Sequence, residues 1–134
     1  MTIEARLNRA DGALTTLSNG RHVWNADVGK MLGSGDRAPD PHDLLDSALA
    51  ACTTLTLELY IRRKQLPVTA LHVTVDHVEI KTAEGAVHYE LQRSIHIDGE
   101  GLSADDRQRL LDIAGKCPIH RLLEGEITIA TALV

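Results

Sequence analysis

Hydrophobic periodicity divides this chain into a strand-rich first third, a long helix, a pair of long strands, a second helix and a last strand. Thr2–Asn8 alternates, with Ile3, Ala5 and Leu7 on one face, and Arg9-Ala10-Asp11-Gly12 reads as a turn. Ala13–Leu17 and His22–Val28 read as strands joined through Ser18-Asn19-Gly20, a hairpin signal. Gly33–Pro41 is a loop by its Gly and Pro content. Helix one then starts with Asp40 at the N-cap, Pro41 in the first turn and Asp43 completing a capping box. Leu44, Leu45, Ala48, Leu49, Cys52, Leu55, Thr56 and Leu59 recur at helical spacing. Ala50, Ala51 and Leu57 add apolar surface elsewhere, which predicts a helix covered on most sides. Arg62-Arg63-Lys64 suit the negative end of its dipole, and Pro67 blocks continuation.

Beyond it, Leu71, Val73 and Val75 alternate, and the phase then slips to Val78 and Ile80, which predicts a bulge near Asp76-His77. Val87, Tyr89, Leu91, Ile95 and Ile97 keep one phase, with Thr82–Ala86 as the turn between the two strands. Ser103-Ala104-Asp105-Asp106 caps a second helix whose stripe is Leu110, Leu111, Ile113, Ala114 and Cys117. Pro118 is expected to stop it; a short turn and Gly125 then lead to a final strand, Glu126–Val134. The expected order is β-β-β-α-β-β-α-β with both cysteines on helices, an α+β fold with an antiparallel sheet.

Composition narrows the class. At 134 residues the chain is one domain by length, residues 1–134. Its net charge of −5 and lack of basic clusters with interleaved aromatics argue against nucleic acid. The longest charge-free apolar run, Ser47–Leu57, is too short to cross a bilayer, so no membrane partner is expected. The N-terminus lacks the basic-then-apolar order of a signal peptide, so a reducing cytoplasm is the expected compartment.

Candidate chemistry centres on Cys52 and Cys117, the only two cysteines. A lone pair this far apart in sequence is too sparse for a disulfide scaffold and has too few ligands for a standard zinc site. It is the inventory of a redox pair, in which one thiolate reacts with peroxide and the other resolves the sulfenic acid. Both also lie on apolar stripes, so simple packing accounts for them equally well. His42 and His120 stand near the cysteines in sequence, but the paired Cys-x-x-Cys signature of a metal site is absent, and neither metal nor cofactor is expected. Two rival readings remain. One is a Cys–His hydrolase using His42 or His120 as base; the other is a dimeric module holding an apolar ligand.

Pro41-x-Asp43-Leu44-Leu45-x-x-Ala48-Leu49-Ala50-Ala51-Cys52, the preceding loop with Asp36 and Pro39, and Lys116-Cys117-Pro118-Ile119-His120 closely resemble the OsmC/Ohr family. The resemblance runs over almost the whole chain. It implies an intertwined homodimer with two central helices, and thiol-dependent reduction of organic hydroperoxides with a dithiol reductant, a role in oxidative-stress defence. It places Cys52 as the reactive cysteine, Cys117 as the resolving one and Arg9 as the best match to the family's activating Arg; Arg21 and Arg37 are close to the relevant loops. Two positions depart from the family. His42 stands where the peroxidases carry a Glu that fixes the Arg, and His120 stands where they usually carry Ser, as in an OsmC-like branch with Cys-Pro-x-His.

Overall fold

The structure is a computed structural model and describes residues 1–134. The chain divides into two compact units, residues 1–45 and residues 46–134. In the first, β1 (Glu4–Leu7), β2 (Thr15–Ser18) and β3 (Val23–Ala26) form an antiparallel sheet in the order β1-β2-β3. The expected hairpin at Ser18–Gly20 is formed: the Asn19 side chain accepts from the backbone N–H of Arg21 and His22, and Gly20 takes φ +87°. Below it, a loop is organised around one buried carboxylate. Asp27 accepts from the Ser34 hydroxyl at 2.5 Å and from the backbone N–H of Val28 and Arg37. These donors, the hydroxyl first, hold its carboxyl below the usual aspartate range.

Helix α1 (Pro41–Lys64) begins with the expected reciprocal cap, in which Asp40 Oδ1 accepts from the Asp43 N–H and Asp43 Oδ2 from the Asp40 N–H. Its buried stripe is Leu49, Thr53, Leu57 and Ile61, each four residues on. This differs from the expected stripe: Leu55 and Leu59 lie on the opposite side of α1 and are 61% and 65% exposed. The helix is apolar nearly all round, so periodicity does not single out the face that packs. By length and composition alone it is also long and apolar enough to cross a membrane, because Leu44-Leu45 and Leu59-Tyr60-Ile61 extend the apolar stretch past the single charges Asp46 and Glu58.

In the second unit, β4 (Ala70–Lys81) and β5 (Val87–Asp98) pair antiparallel over their full length. Their register runs without interruption through Asp76↔Gln92 and His77↔Leu91, so the expected bulge is absent. The phase slip has another cause. His77 and Glu79 occupy the positions in phase with Leu71, Val73 and Val75, while Val78 and Ile80 fall on the other face and stay exposed. That end of the face is polar because Asp46 of α1 meets it, accepting from His77 Nδ1 and, at 2.8 Å, from the Tyr89 hydroxyl. The His77 and Tyr89 rings stack with centroids 4.9 Å apart.

Helix α2 (Ala104–Ala114) carries the expected Ser103 cap, its hydroxyl accepting from the Asp106 N–H at 3.0 Å. Leu110 and Ala114 of α2 meet Leu57 and Ile61 of α1 in a core completed by Leu71, Ile95 and Ile97 of the hairpin. Two expectations fail at the C-terminus. Pro118 does not end the helical structure; it opens α3 (Pro118–Glu124), where its fixed φ suits the first turn and its missing N–H costs nothing. Residues 126–134 form no strand and are exposed throughout, pairing with neither sheet.

Gly99 follows β5 where the chain passes Pro67. A Cβ at Gly99 would lie 2.2 Å from the Pro67 carbonyl oxygen, a backbone atom that cannot swing away. Gly99→Ala should therefore destabilise the protein by about 1–3 kcal/mol in urea denaturation, as overpacking does elsewhere. A silent substitution would mean that the segment moves freely.

Candidate active site

Cys52 sits mid-way along α1, half-buried, one position before the buried Thr53. Cys117 is fully buried and lies between helices rather than on one. It is the N-cap of α3, and its Sγ accepts the backbone N–H of His120 at 3.4 Å. The local sequence explains this geometry. Gly115-Lys116 turns the chain out of α2, and Pro118 starts the next helix, so the residue between them must cap it.

The two cysteines lie close enough for each to act on the other's ionisation. Both lose solvent, and desolvation disfavours either thiolate. Beyond that they differ. Burial first, then the hydrogen bond with Cys117 and that sulfur's negative charge, pushes Cys52 up, against weaker help from the Ile119 N–H and the Thr56 hydroxyl. At Cys117 burial is outweighed by donors from Cys52, the N–H groups of His120 and Ile119, and the Thr53 hydroxyl, so its thiol is pushed down. Helix-terminal N–H groups are what lower cysteine pKa values elsewhere. Cys52 is thus the harder of the two thiols to ionise and Cys117 the easier.

A second row of contacts runs behind Cys117. Arg93 donates from one guanidinium nitrogen to Thr53 Oγ1 at 3.0 Å and from the other to His120 Nδ1 at 2.9 Å. Guanidinium has no acceptor, so His120 Nδ1 must be unprotonated and the ring proton lies on Nε2. That nitrogen donates to Glu124 Oε1 at 2.6 Å, one helical turn on. An open cavity of about 600 Å³ borders this row, with Arg93 and His120 among walls that include Leu49, Leu91, Ile95 and Leu111.

The expected site residues distribute unevenly. Cys52, Cys117 and His120 come together. Arg9 lies exposed in a short 3-10 turn, Arg9–Asp11, of the first unit, as does Arg21 beside the hairpin turn. Arg37 belongs to the Asp27 loop and donates to the Asp11 carboxylate at 2.9 Å. His42 is exposed in the first turn of α1. Arg93, Thr53 and Glu124 escaped the sequence reading, yet Arg93 left a signal. It occupies the inward phase of β5 between Leu91 and Ile95, and a charge on an apolar face needs a reason.

A family model for OsmC-like proteins matches residues 33–132. The chain belongs to the OsmC-like protein family. Its fold is similar to that of an OsmC-like protein from Mycoplasma pneumoniae, with a TM-score of 0.76 at 24% identity over 92% of this chain and 86% of that one. An organic hydroperoxide resistance protein from Elizabethkingia anophelis superposes with a TM-score of 0.69 at 22% identity, covering 93% and 89% of the two chains. The organic hydroperoxide resistance protein OhrB of Bacillus subtilis gives 0.62 at 18% identity, covering 92% and 90%. A search of the curated proteins finds no significant match. This OsmC-like chain therefore has the α+β fold expected of it, with antiparallel strands in two sheets and three helices.

The opposite shifts of the two thiols have a direct signature. Titration of the thiolate absorbance should show two steps, one below the ordinary cysteine pKa of roughly 8.5 and one above it. Between them the pair carries a single charge; above the second both sulfurs are thiolates and repel. Cys52→Ser should remove the upper step and keep one at Cys117. One two-thiol step at the ordinary value would show that the two thiols are equivalent.

Proposed function

We propose that this OsmC-like protein is a thiol-dependent peroxidase that reduces organic hydroperoxides through Cys52 and Cys117. The observation that carries the reading is the closeness of the two cysteines, with Cys117 capping α3. Cys52 is the sulfur that a substrate can reach, since Cys117 is fully buried. As Cys52 attacks the distal peroxide oxygen, its proton passes to the thiolate of the neighbouring Cys117, the more readily ionised of the two. The O–O bond breaks, Cys52 becomes a sulfenic acid, and the alkoxide leaves and takes up the proton as an alcohol. Cys117, again a thiolate, attacks the Cys52 sulfur and expels hydroxide, which solvent protonates to water. The pair ends as a disulfide that an external dithiol reduces, in a cytoplasm that keeps thiols reduced between turnovers. No metal or cofactor enters this sequence of steps.

A Cys–His hydrolase fits the site less well. Both ring nitrogens of His120 are engaged, Nδ1 by Arg93 and Nε2 by Glu124, so neither is placed to take a proton from Cys52.

The reading includes a homodimer. Leu55 and Leu59 on α1 and Leu111 on α2 are more than half exposed, more apolar surface than a single chain leaves in water without use. Residues 126–134 keep the alternation Ile127, Ile129, Thr131, Leu133 of a strand that lacks a neighbour. A second copy supplies both a cover and a ladder. Sedimentation should accordingly give a dimer at micromolar concentration, and Leu55→Asp with Leu59→Asp should give a less stable monomer. A native chain that is folded and monomeric there would refute it.

Peptide mapping tests the chemistry. An alkyl hydroperoxide should convert Cys52 and Cys117 to an intramolecular disulfide with one alcohol formed per pair. Cys52→Ser should abolish turnover, and Cys117→Ser should allow one turnover before Cys52 proceeds to sulfinic acid. Accumulation of that sulfinic acid in the native protein would show that Cys117 is not the resolving partner.

A further inference from the structure

Arg93 is the one arginine of this chain that is not exposed. It stands on the inward phase of β5 between Leu91 and Ile95, so its charge is carried on the face that the hairpin turns to the helices. A guanidinium in such a place normally meets a carboxylate, because giving up part of its hydration is costly without an opposite charge. Arg93 meets none. Its hydrogen bonds go to Thr53 Oγ1 at 3.0 Å and to His120 Nδ1 at 2.9 Å, and both acceptors are neutral. These two contacts orient the planar fork and leave its other N–H donors unused by the protein.

The open cavity of about 600 Å³ that Arg93 borders has the size of a small-molecule site. Much of the remaining wall is aliphatic, with Leu49 from α1, Leu91 from β5, Leu111 from α2 and Leu123 from α3. Two carboxylates stand at its margin, and neither pairs with Arg93. Glu124 accepts from His120 Nε2 at 2.6 Å and is otherwise largely in solvent, while Glu90 lies on the outward phase of β5 and accepts from Gln92 Nε2 at 3.3 Å. The charge that faces inward is therefore a single cation among leucines.

The chemical complement of such a cavity is a molecule with one carboxylate and a hydrocarbon body. A guanidinium fork takes both oxygens of a carboxylate at once, and an aliphatic wall removes the chain from water. We propose that this cavity binds an apolar monocarboxylate and that Arg93 is the residue that selects its carboxylate. The site stands on the cavity and the unpaired guanidinium, not on the peroxidase reading. Its walls nevertheless adjoin both cysteines: Leu49 lies one turn before Cys52 on α1, and the His120 N–H meets Cys117 Sγ.

Calorimetric titration of the native protein with octanoate, octanamide, octylamine and acetate tests this. Octanoate should bind roughly tenfold more tightly than octanamide, its neutral isostere, which is the gain of a charge-assisted hydrogen bond in a partly open site. Octylamine should bind more weakly than octanamide. Acetate, which has the charge without the chain, should give no measurable binding over the same concentrations. Arg93→Gln should abolish the preference for octanoate over octanamide, and Arg93→Lys should keep part of it, since an ammonium retains the charge but not the fork. Arg109→Gln, which removes an exposed cation of α2, should change nothing.

Equal binding of octanoate and octanamide by the native protein overturns the inference. So does a preference that survives Arg93→Gln, or one that Arg109→Gln removes. If Arg93→Gln does not fold, the comparison of ligands on the native protein and the partial loss in Arg93→Lys decide. Disulfide formation under an alkyl hydroperoxide is scored separately. A preference for octanoate in a protein that forms no disulfide upholds the site and discards the peroxidase reading, and disulfide formation without that preference does the reverse.

Discussion

The closeness of two cysteines organises the chemistry proposed for this molecule, and the fold sets them in unequal surroundings. Two buried thiols in like surroundings would share a proton evenly and both remain poor nucleophiles. Here the chain places one of them at the start of a helix, where N–H groups are unpaired and positive, and the other in mid-helix, where every backbone N–H is already used. The asymmetry comes from a three-residue accident of local sequence. Gly115-Lys116 ends α2, Pro118 begins α3, and whichever residue stands between them becomes the cap. That residue is Cys117, and its sulfur meets the unpaired N–H groups.

The second constraint is the character of α1. Leu49, Thr53, Leu57 and Ile61 point into the hairpin and α2, yet the opposite side is nearly as apolar. A helix of this kind is stable only when something covers it all round. Within the chain the cover is partial, which is why the proposed second copy belongs to the fold as much as to the assembly. Cys52 lies on the flank between the two sides. It is therefore partly enclosed by the core yet still reachable, a position that a simple two-faced helix would not provide.

Much of the fold could be read from residue order because its signals are local. The Asp40/Asp43 cap, the Ser103 cap, the Asn19-Gly20 hairpin turn and the β4/β5 pairing each depend on residues close together in sequence. The misreadings have physical causes of two kinds. Where a polar partner arrives from elsewhere, as Asp46 does against His77 and Tyr89, alternation breaks without any bulge in the backbone. Where one residue serves two roles, a single rule picks the wrong one; Pro118 was a stop by helix-interior logic and is a start by first-turn logic. The site shows the same division. Its cysteines announce themselves by type, whereas Arg93, Thr53 and Glu124 become relevant only through contacts that span 40, 27 and 4 positions of sequence. Alternation along β5 marks Arg93 as out of place, but nothing in the sequence says what it meets.

Burial separates the two sulfurs by what can reach them. Cys117 is fully buried and meets no solvent oxidant, whereas Cys52 is only half-buried. In the proposed chemistry the first oxidation therefore falls on Cys52, and Cys117 is kept reduced until a sulfenic acid stands beside it. The order of events follows from access rather than from the reactivity of either thiol alone. Burial has a cost, because it disfavours a thiolate, and at Cys117 the N–H groups that open α3 offset it. The shielded sulfur is thus also the one that the backbone equips to ionise.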